Sequence, residues 1–328
     1  MMSDKPKVLV TRRLPERVMA FLAEHAEVTC HEEDRGLSRE ELLAGIRGKD
    51  ALLCLLTDRI DAEVMDAEPG LKVIANYAVG YNNIDIEAAT ARGITVTNTP
   101  DVLTAATADI AWALLMAVSR RIVEGDALVR SGGWKGWAPL QLIGGDVTGA
   151  TLGLIGLGRI GQAMMRRAQG FEMEIVYWNR TRLSEAEEAE LGVRYASLDE
   201  VLQAADYLSL HVAYTPQTHH LIGERELRLM KPTAYLINTA RGAHIDEAAL
   251  VRALREGWIA GAGLDVYERE PALEDGLAAL DNVVLAPHLG SATLQTRERM
   301  GMMAARGILA AHQGERPEHV VNTTLYER

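Results

Sequence analysis

Three polar residues in the second half of the chain, Arg241, Glu270 and His288, each follow an apolar run that reads as a β-strand. The runs are Ile237-Asn-Thr-Ala-Arg241-Gly, Ala262-Gly-Leu-Asp265-Val-Tyr-Glu-Arg-Glu270-Pro and Ala286-Pro-His288-Leu-Gly290-Ser-Ala-Thr. Polar groups at the carboxyl ends of such strands sit where open α/β sheets bind their ligands. An arginine there can grip a carboxylate with two parallel hydrogen bonds. A histidine paired with a glutamate can hold a proton near neutral pH, as a general acid must. Singly, each residue has a plain structural reading: a surface charge, an acid before a turn proline, a satisfied polar side chain. It is the combination that points to chemistry.

A second set of residues reads as an anion cradle. Gly156, Gly158 and Gly161 form a Gly-x-Gly-x-x-Gly within Thr151-Leu-Gly-Leu-Ile-Gly156-Leu-Gly158-Arg-Ile-Gly161, where a predicted strand runs into a helix. Gly156 permits the tight turn, Gly158 lets the backbone approach a pyrophosphate, and Gly161 lets the helix pack closely. Free N–H groups at the helix start then meet the anion. The next predicted strand ends about 20 residues on, where an NAD enzyme usually carries an acid for the ribose 2′-hydroxyl. Here the sequence is Asn179-Arg180-Thr181-Arg182. Asn179 removes the repulsion of a 2′-phosphate, and Arg180 and Arg182 supply cations for it. NADP(H) is therefore the favoured cofactor and NAD(H) the second choice. A solvated basic loop is the plainer reading of the same residues.

Positioning these groups requires more than one core. A chain of 328 residues exceeds the roughly 250 to 300 at which single cores stop growing, so two units are expected. Short apolar runs alternate with amphipathic stretches: Lys7 to Val10, Pro15 to His25, Ala51 to Leu56, Leu71 to Ala75 and Ile94 to Thr97. That is a βαβ rhythm. Ser38 with Glu41 is a capping-box pattern. Asp101 to about Arg130 predicts one or two helices, and Gly132 to Gly145 a loop bearing Trp134 and Trp137. A second series follows, with strands expected near 174–178, 207–211, 234–239, 261–266 and 283–286, read as continuous apolar runs because helices cover both faces of a parallel sheet. The segment from Thr293 to Gln313 predicts a closing helix.

A formal charge of −12 argues against nucleic acid or anionic lipid as main partner. The two cysteines, Cys30 and Cys54, have neither disulfide-framework nor zinc spacing and fit a reducing cytoplasm. There is no signal-peptide core, and no apolar stretch approaches the roughly 20 residues that span a bilayer. The adjacent His219 and His220 lack the i, i+4 spacing of a helical chelate, so no metal is expected.

These motifs resemble the D-2-hydroxyacid dehydrogenase family over nearly the whole chain. The resemblance includes Asn76-Tyr-Ala-Val-Gly80-Tyr-Asn-Asn-Ile-Asp85, Gly93-Ile-Thr-Val-Thr-Asn-Thr-Pro100, the glycine loop, and the Arg, Glu and His segments in the family's order. Arg130-Ser-Gly-Gly-Trp134-Lys-Gly-Trp137-Ala-Pro139 and the acid-free Asn179-Arg180-Thr181 look most like the glyoxylate and hydroxypyruvate reductases. The resemblance implies two Rossmann-like, doubly wound parallel-sheet α/β domains with a cleft between them. Residues 1–98 plus 290–328 would bind substrate and 99–289 the nucleotide, cleft closure excluding water.

It further implies that Arg241 holds the carboxylate and carbonyl of a small 2-oxo acid. His288 would protonate the oxygen as hydride arrives, and Glu270 would orient His288 and keep it charged. Val79 and Gly80 would bind the carboxylate through backbone N–H groups, with Leu56 shaping the pocket and Trp137 reaching in from the partner of a homodimer. For Trp134, interface packing without substrate contact is expected. The cofactor would meet Gly156, Gly158, Arg159, Ile160, Gly161, Asn179, Arg180, Thr181, Thr239, Ala240, Arg241, His288 and Gly290, and Asp265 would meet the nicotinamide carboxamide.

Ala213 stands where many relatives have proline, which implies altered loop stiffness, and His244 reads as a variable loop position. Formate dehydrogenases of the family carry Gln where Glu270 stands. Many phosphoglycerate dehydrogenases add a C-terminal regulatory domain, whereas this sequence stops at Arg328. Family-like corepressors that sense dinucleotides keep the same three polar residues and form the non-enzyme alternative.

Overall fold

In the computed structural model, which describes residues 5–31 and 33–327, the apolar runs form two all-parallel sheets. The first contains β1 (Lys7–Val10), β2 (Glu27–Cys30), β3 (Ala51–Cys54), β4 (Val73–Asn76) and β5 (Thr95–Thr97) in the order β2-β1-β3-β4-β5. Alternation along these strands divides the core between two faces. Val8, Val10, Leu53 and Ala75 pack with Val18, Leu22, Met300 and Ile308. Leu9, Leu52, Cys54 and Ile74 pack with Leu42, Ile46, Val64 and Met65 on the opposite side. The Ser38–Glu41 capping box is formed. The edge strand β2, absent from the sequence expectation, is only partly covered and carries no continuous apolar run.

The second sheet contains β6 (Thr151–Ile155), β7 (Glu174–Trp178), β8 (Arg194–Tyr195), β9 (Tyr207–Leu210), β10 (Tyr235–Asn238), β11 (Gly261–Leu264) and β12 (Val283–Leu285). Their order is β12-β11-β10-β9-β6-β7-β8. Successive strands build outward from β6 first to one side and then to the other, so the order reverses between β6 and β9, the switch point at which such sheets bind ligands. The two-residue edge strand β8 is too short for the sequence to announce. The stretch from Asp101 to Arg130 forms two helices, Thr104–Ser119 and Ile122–Arg130. They break where Arg121 adopts a left-handed backbone (φ 52°).

The chain divides into two compact units, Met1–Leu103 with Ala292–Arg328, and Thr104–Ser291. The helix Leu294–His312 thus belongs to the first unit, where it covers β4 and packs beside the helix Glu16–His25. Among the described residues no helix is long and apolar enough to cross a membrane.

Candidate active site

Because β10, β11 and β12 are neighbours, the segments leaving their carboxyl ends lie side by side. Arg241, Glu270 and His288 are on those three segments. His288 Nδ1 and Glu270 Oε2 are 3.0 Å apart. Glu270 Oε1 accepts the Tyr267 N–H at 2.9 Å, which fixes the carboxylate's orientation. Burial raises the affinity of Glu270 for a proton, but the His288 hydrogen bond and charge, the Tyr267 N–H and the Arg241 guanidinium outweigh it and hold the carboxyl below its usual range. Burial lowers the Arg241 pKa, with the Glu270 charge opposing.

The turn carrying Arg241 is built by Asn238, whose Nδ2 donates to Arg241 O at 2.8 Å while its Oδ1 accepts the Ala240 N–H at 3.0 Å. Gly242 comes next because nothing larger fits: a Cβ there would collide with the Tyr267–Glu268 backbone. The two segments that carry Arg241 and Glu270 are thereby packed backbone to backbone.

His288 has a left-handed backbone (φ 55°), which side chains other than glycine's rarely adopt and which clusters at functional sites. The chain that follows is anchored by Asp265. This fully buried carboxylate accepts the N–H of Leu289 at 2.6 Å and of Gly290 at 2.8 Å. Burial raises its pKa, against those two bonds and the His288 charge. The sequence singled out Asp265 for a cofactor contact; its hold on the His288 loop was not legible, because the two segments are joined only by the sheet.

The glycine loop takes the form that its spacing implies. Gly156 has φ 100°, and a Cβ there would lie 2.7 Å from the His211 carbonyl carbon. A Cβ at Gly161 would overlap Gly156 O. Gly158, at the start of the helix Arg159–Gln169, is different: its Cβ would meet nothing within 4 Å. The protein's own packing does not require glycine there, whereas a phosphate approaching the helix start does. Thr239 Oγ1 is buried without a hydrogen-bond partner among the described residues, a second group that a dinucleotide fits.

At the end of β7, Asn179 Oδ1 accepts the Leu157 N–H at 2.7 Å and so braces the glycine loop. Arg180 and Thr181 are exposed, and Arg180 forms no ion pair with any described residue. Arg182 is paired within its own segment. It grips Glu188 with two hydrogen bonds of 2.8 and 2.7 Å, beside the Tyr177 hydroxyl on the same carboxylate.

In the first unit, Leu56 follows β3, and Val79 and Gly80 follow β4, the adjacent strand; Leu56 and Gly80 are half-buried and Val79 is held in the same turn. In the second unit, Trp134 and Trp137 lie on the predicted loop, Trp137 being 84% exposed. His244, at the end of the turn Gly242–His244, is fully buried, beside the Tyr214 ring. Glu268 joins His219 and His220, with His220 Nε2 and Glu268 Oε1 2.8 Å apart. The two rings stack at 4.0 Å between centroids, and one ligand atom from each of the three side chains lies within 4.8 Å of the others.

The family model of the D-isomer specific 2-hydroxyacid dehydrogenase NAD binding domain matches residues 112–290. A glyoxylate reductase of Thermococcus onnurineus is 56% identical over 322 residues, covering 97% of this chain and 96% of the relative. A Thermus thermophilus protein of known structure superposes with a TM-score of 0.91 at 50% identity, over 96% of this chain and 99% of that one. The NADPH-dependent glyoxylate/hydroxypyruvate reductase of Sinorhizobium meliloti, solved with NADP and malonate, superposes with a TM-score of 0.86 at 36% identity, over 98% of each chain. With that breadth of agreement, this chain belongs to the D-isomer specific 2-hydroxyacid dehydrogenase family.

Proposed function

We propose that this protein reduces glyoxylate, and also hydroxypyruvate, to the corresponding 2-hydroxy acid, taking NADPH in preference to NADH. The observation that carries the chemistry is the His288–Glu270 pair at 3.0 Å, with Glu270 on the segment beside the one that carries Arg241. Glu270 occupies Nδ1, which leaves Nε2 of the imidazolium as the donor toward a substrate oxygen. Arg241 holds the carboxylate and polarises the carbonyl. When bound, the reduced nicotinamide supplies the hydride. As the carbonyl carbon accepts it, the C=O π pair moves to oxygen and takes the His288 proton, so the aldehyde of glyoxylate becomes the alcohol of glycolate. The Val79 and Gly80 N–H groups bind the carboxylate, and Leu56 limits the size of the side chain.

The cofactor contacts are those of Gly156, Gly158, Arg159, Ile160 and Gly161 to the pyrophosphate, Asn179, Arg180 and Thr181 to the adenosine end, and Thr239, Ala240, Asp265 and Gly290 nearer the nicotinamide. The preference for NADPH rests on an exposed Arg180 that pairs with no described residue and on the missing acid at 179. The working form is a cytoplasmic homodimer, a reading supported by the free thiols of Cys30 and Cys54 and by exposed apolar groups from Ile122 through Trp137 and Leu140 to Ile143. The test is kcat/KM for glyoxylate, hydroxypyruvate and pyruvate with each cofactor. Glyoxylate with NADPH should lead; turnover with none of the three would end this reading.

A further inference from the structure

Asn76 to Asp85 is the motif whose form the chemistry above leaves unexplained. In the turn after β4, the N–H groups of Val79, Gly80 and Tyr81 donate to no described residue. The carbonyl oxygens of the same three peptide groups are all engaged. Ala78 O accepts the Thr99 N–H at 2.9 Å, Val79 O accepts Asn98 Nδ2 at 2.7 Å, and Gly80 O accepts Asn76 Nδ2 at 2.8 Å. A trans peptide points its C=O and N–H in opposite directions. Each carbonyl held from behind therefore turns its N–H outward, giving three successive donors, an arrangement that binds anions.

Asn76 does more than hold one carbonyl. It is fully buried and exchanges reciprocal amide hydrogen bonds of 3.3 Å with Asn83. Asn83 Nδ2 in turn donates to Leu55 O at 3.0 Å and Asp58 O at 3.1 Å. The loop that carries Leu56 is thus tied to the turn that carries Val79 and Gly80.

We propose that Asn98 and Asn76 are positioning residues that aim the Gly80 and Tyr81 N–H groups at the substrate carboxylate, and that Asn76, through Asn83, fixes Leu56 relative to them. Tyr81 N–H thereby joins the carboxylate site. The inference rests on the reading of Val79 and Gly80 given above.

The test compares wild type with Asn98→Ala, Asn98→Gln and Asn76→Ala. For Asn98→Ala, KM for glyoxylate should rise about tenfold, with kcat, KM for NADPH and Tm nearly unchanged; Asn98→Gln, which keeps an amide donor, should recover part of the loss. Methyl glyoxylate, a neutral ester with no carboxylate to bind, should be reduced equally well by Asn98→Ala and wild type, which a general loosening of the fold would not allow. Oxalate binding measured by calorimetry should weaken by a similar factor, and this arm needs no turnover, so loss of the proposed reaction and loss of the positioning role are separable. Unchanged oxalate affinity and glyoxylate KM in Asn98→Ala would overturn the proposal, as would equal losses for glyoxylate, its ester and NADPH. Asn98 is only half-buried, so it carries the test if the Asn76 variant does not fold.

Discussion

At the scale of single residues, the proposed chemistry turns on how Glu270 and His288 are held. Glu270 is held ionised, against its burial, by His288, the Tyr267 N–H and Arg241, and its carboxylate lies 3.0 Å from His288 Nδ1, which fixes the ring's orientation. Glu270→Gln keeps a hydrogen-bond acceptor and removes the charge. Its kcat for glyoxylate should therefore fall while KM for NADPH holds; an unchanged kcat would dissolve the pairing. Cofactor choice is a second residue-scale matter. Asn179→Asp retains an acceptor for the Leu157 N–H while placing a carboxylate where a 2′-phosphate would lie. Combined with Arg180→Ala, it should lower the NADPH/NADH ratio of kcat/KM by about tenfold or more, since hydrogen bonds to charged groups contribute about 1.5 to 3 kcal/mol. A ratio that stays put would separate these residues from the ribose.

At the scale of elements, the site depends on segments meeting backbone to backbone. Gly242→Ala should force the Arg241 turn away from Tyr267 and Glu268, an overpacking that costs about 1 to 3 kcal/mol. Calorimetric Tm and kcat/KM should both drop, and retention of both would mean that the contact is looser than described. What the sequence made legible follows from the same geometry. Apolar strands buried on both faces, such as β3 and β9, announce themselves by composition, and the glycine loop by spacing. Edge strands β2 and β8 do not, because half-covered backbone needs no apolar run. Arg241, Glu270 and His288 could be read because each sits just past a strand. The anchoring of Leu289 and Gly290 by Asp265 and the meeting of Glu268 with His219 and His220 could not, since they join segments that only the fold brings together.

At the scale of the whole molecule, stability should carry the mark of two buried histidines. Burial pushes both His211 and His244 down to about 4, with the Arg241 charge adding to the effect at His244. An unfolded chain binds a proton at each near pH 6.5, whereas the folded protein does not until about pH 4. Stability is therefore full above that unfolded value and declines as pH falls between the two. Tm should be lower at about pH 5 than at about pH 7.5, and His244→Leu should narrow the gap; an unaltered gap would mean that His244 stays accessible to protons. The central claim is that His288 delivers the proton which completes hydride reduction of a 2-oxo acid. It is tested most directly by steady-state oxidation of NADPH with glyoxylate, comparing wild type and His288→Ala under cofactor saturation. The account predicts a fall in kcat of roughly 10²-fold or more, as usual for a positioned general acid, with NADPH affinity retained; a His288→Ala enzyme with wild-type kcat would contradict it.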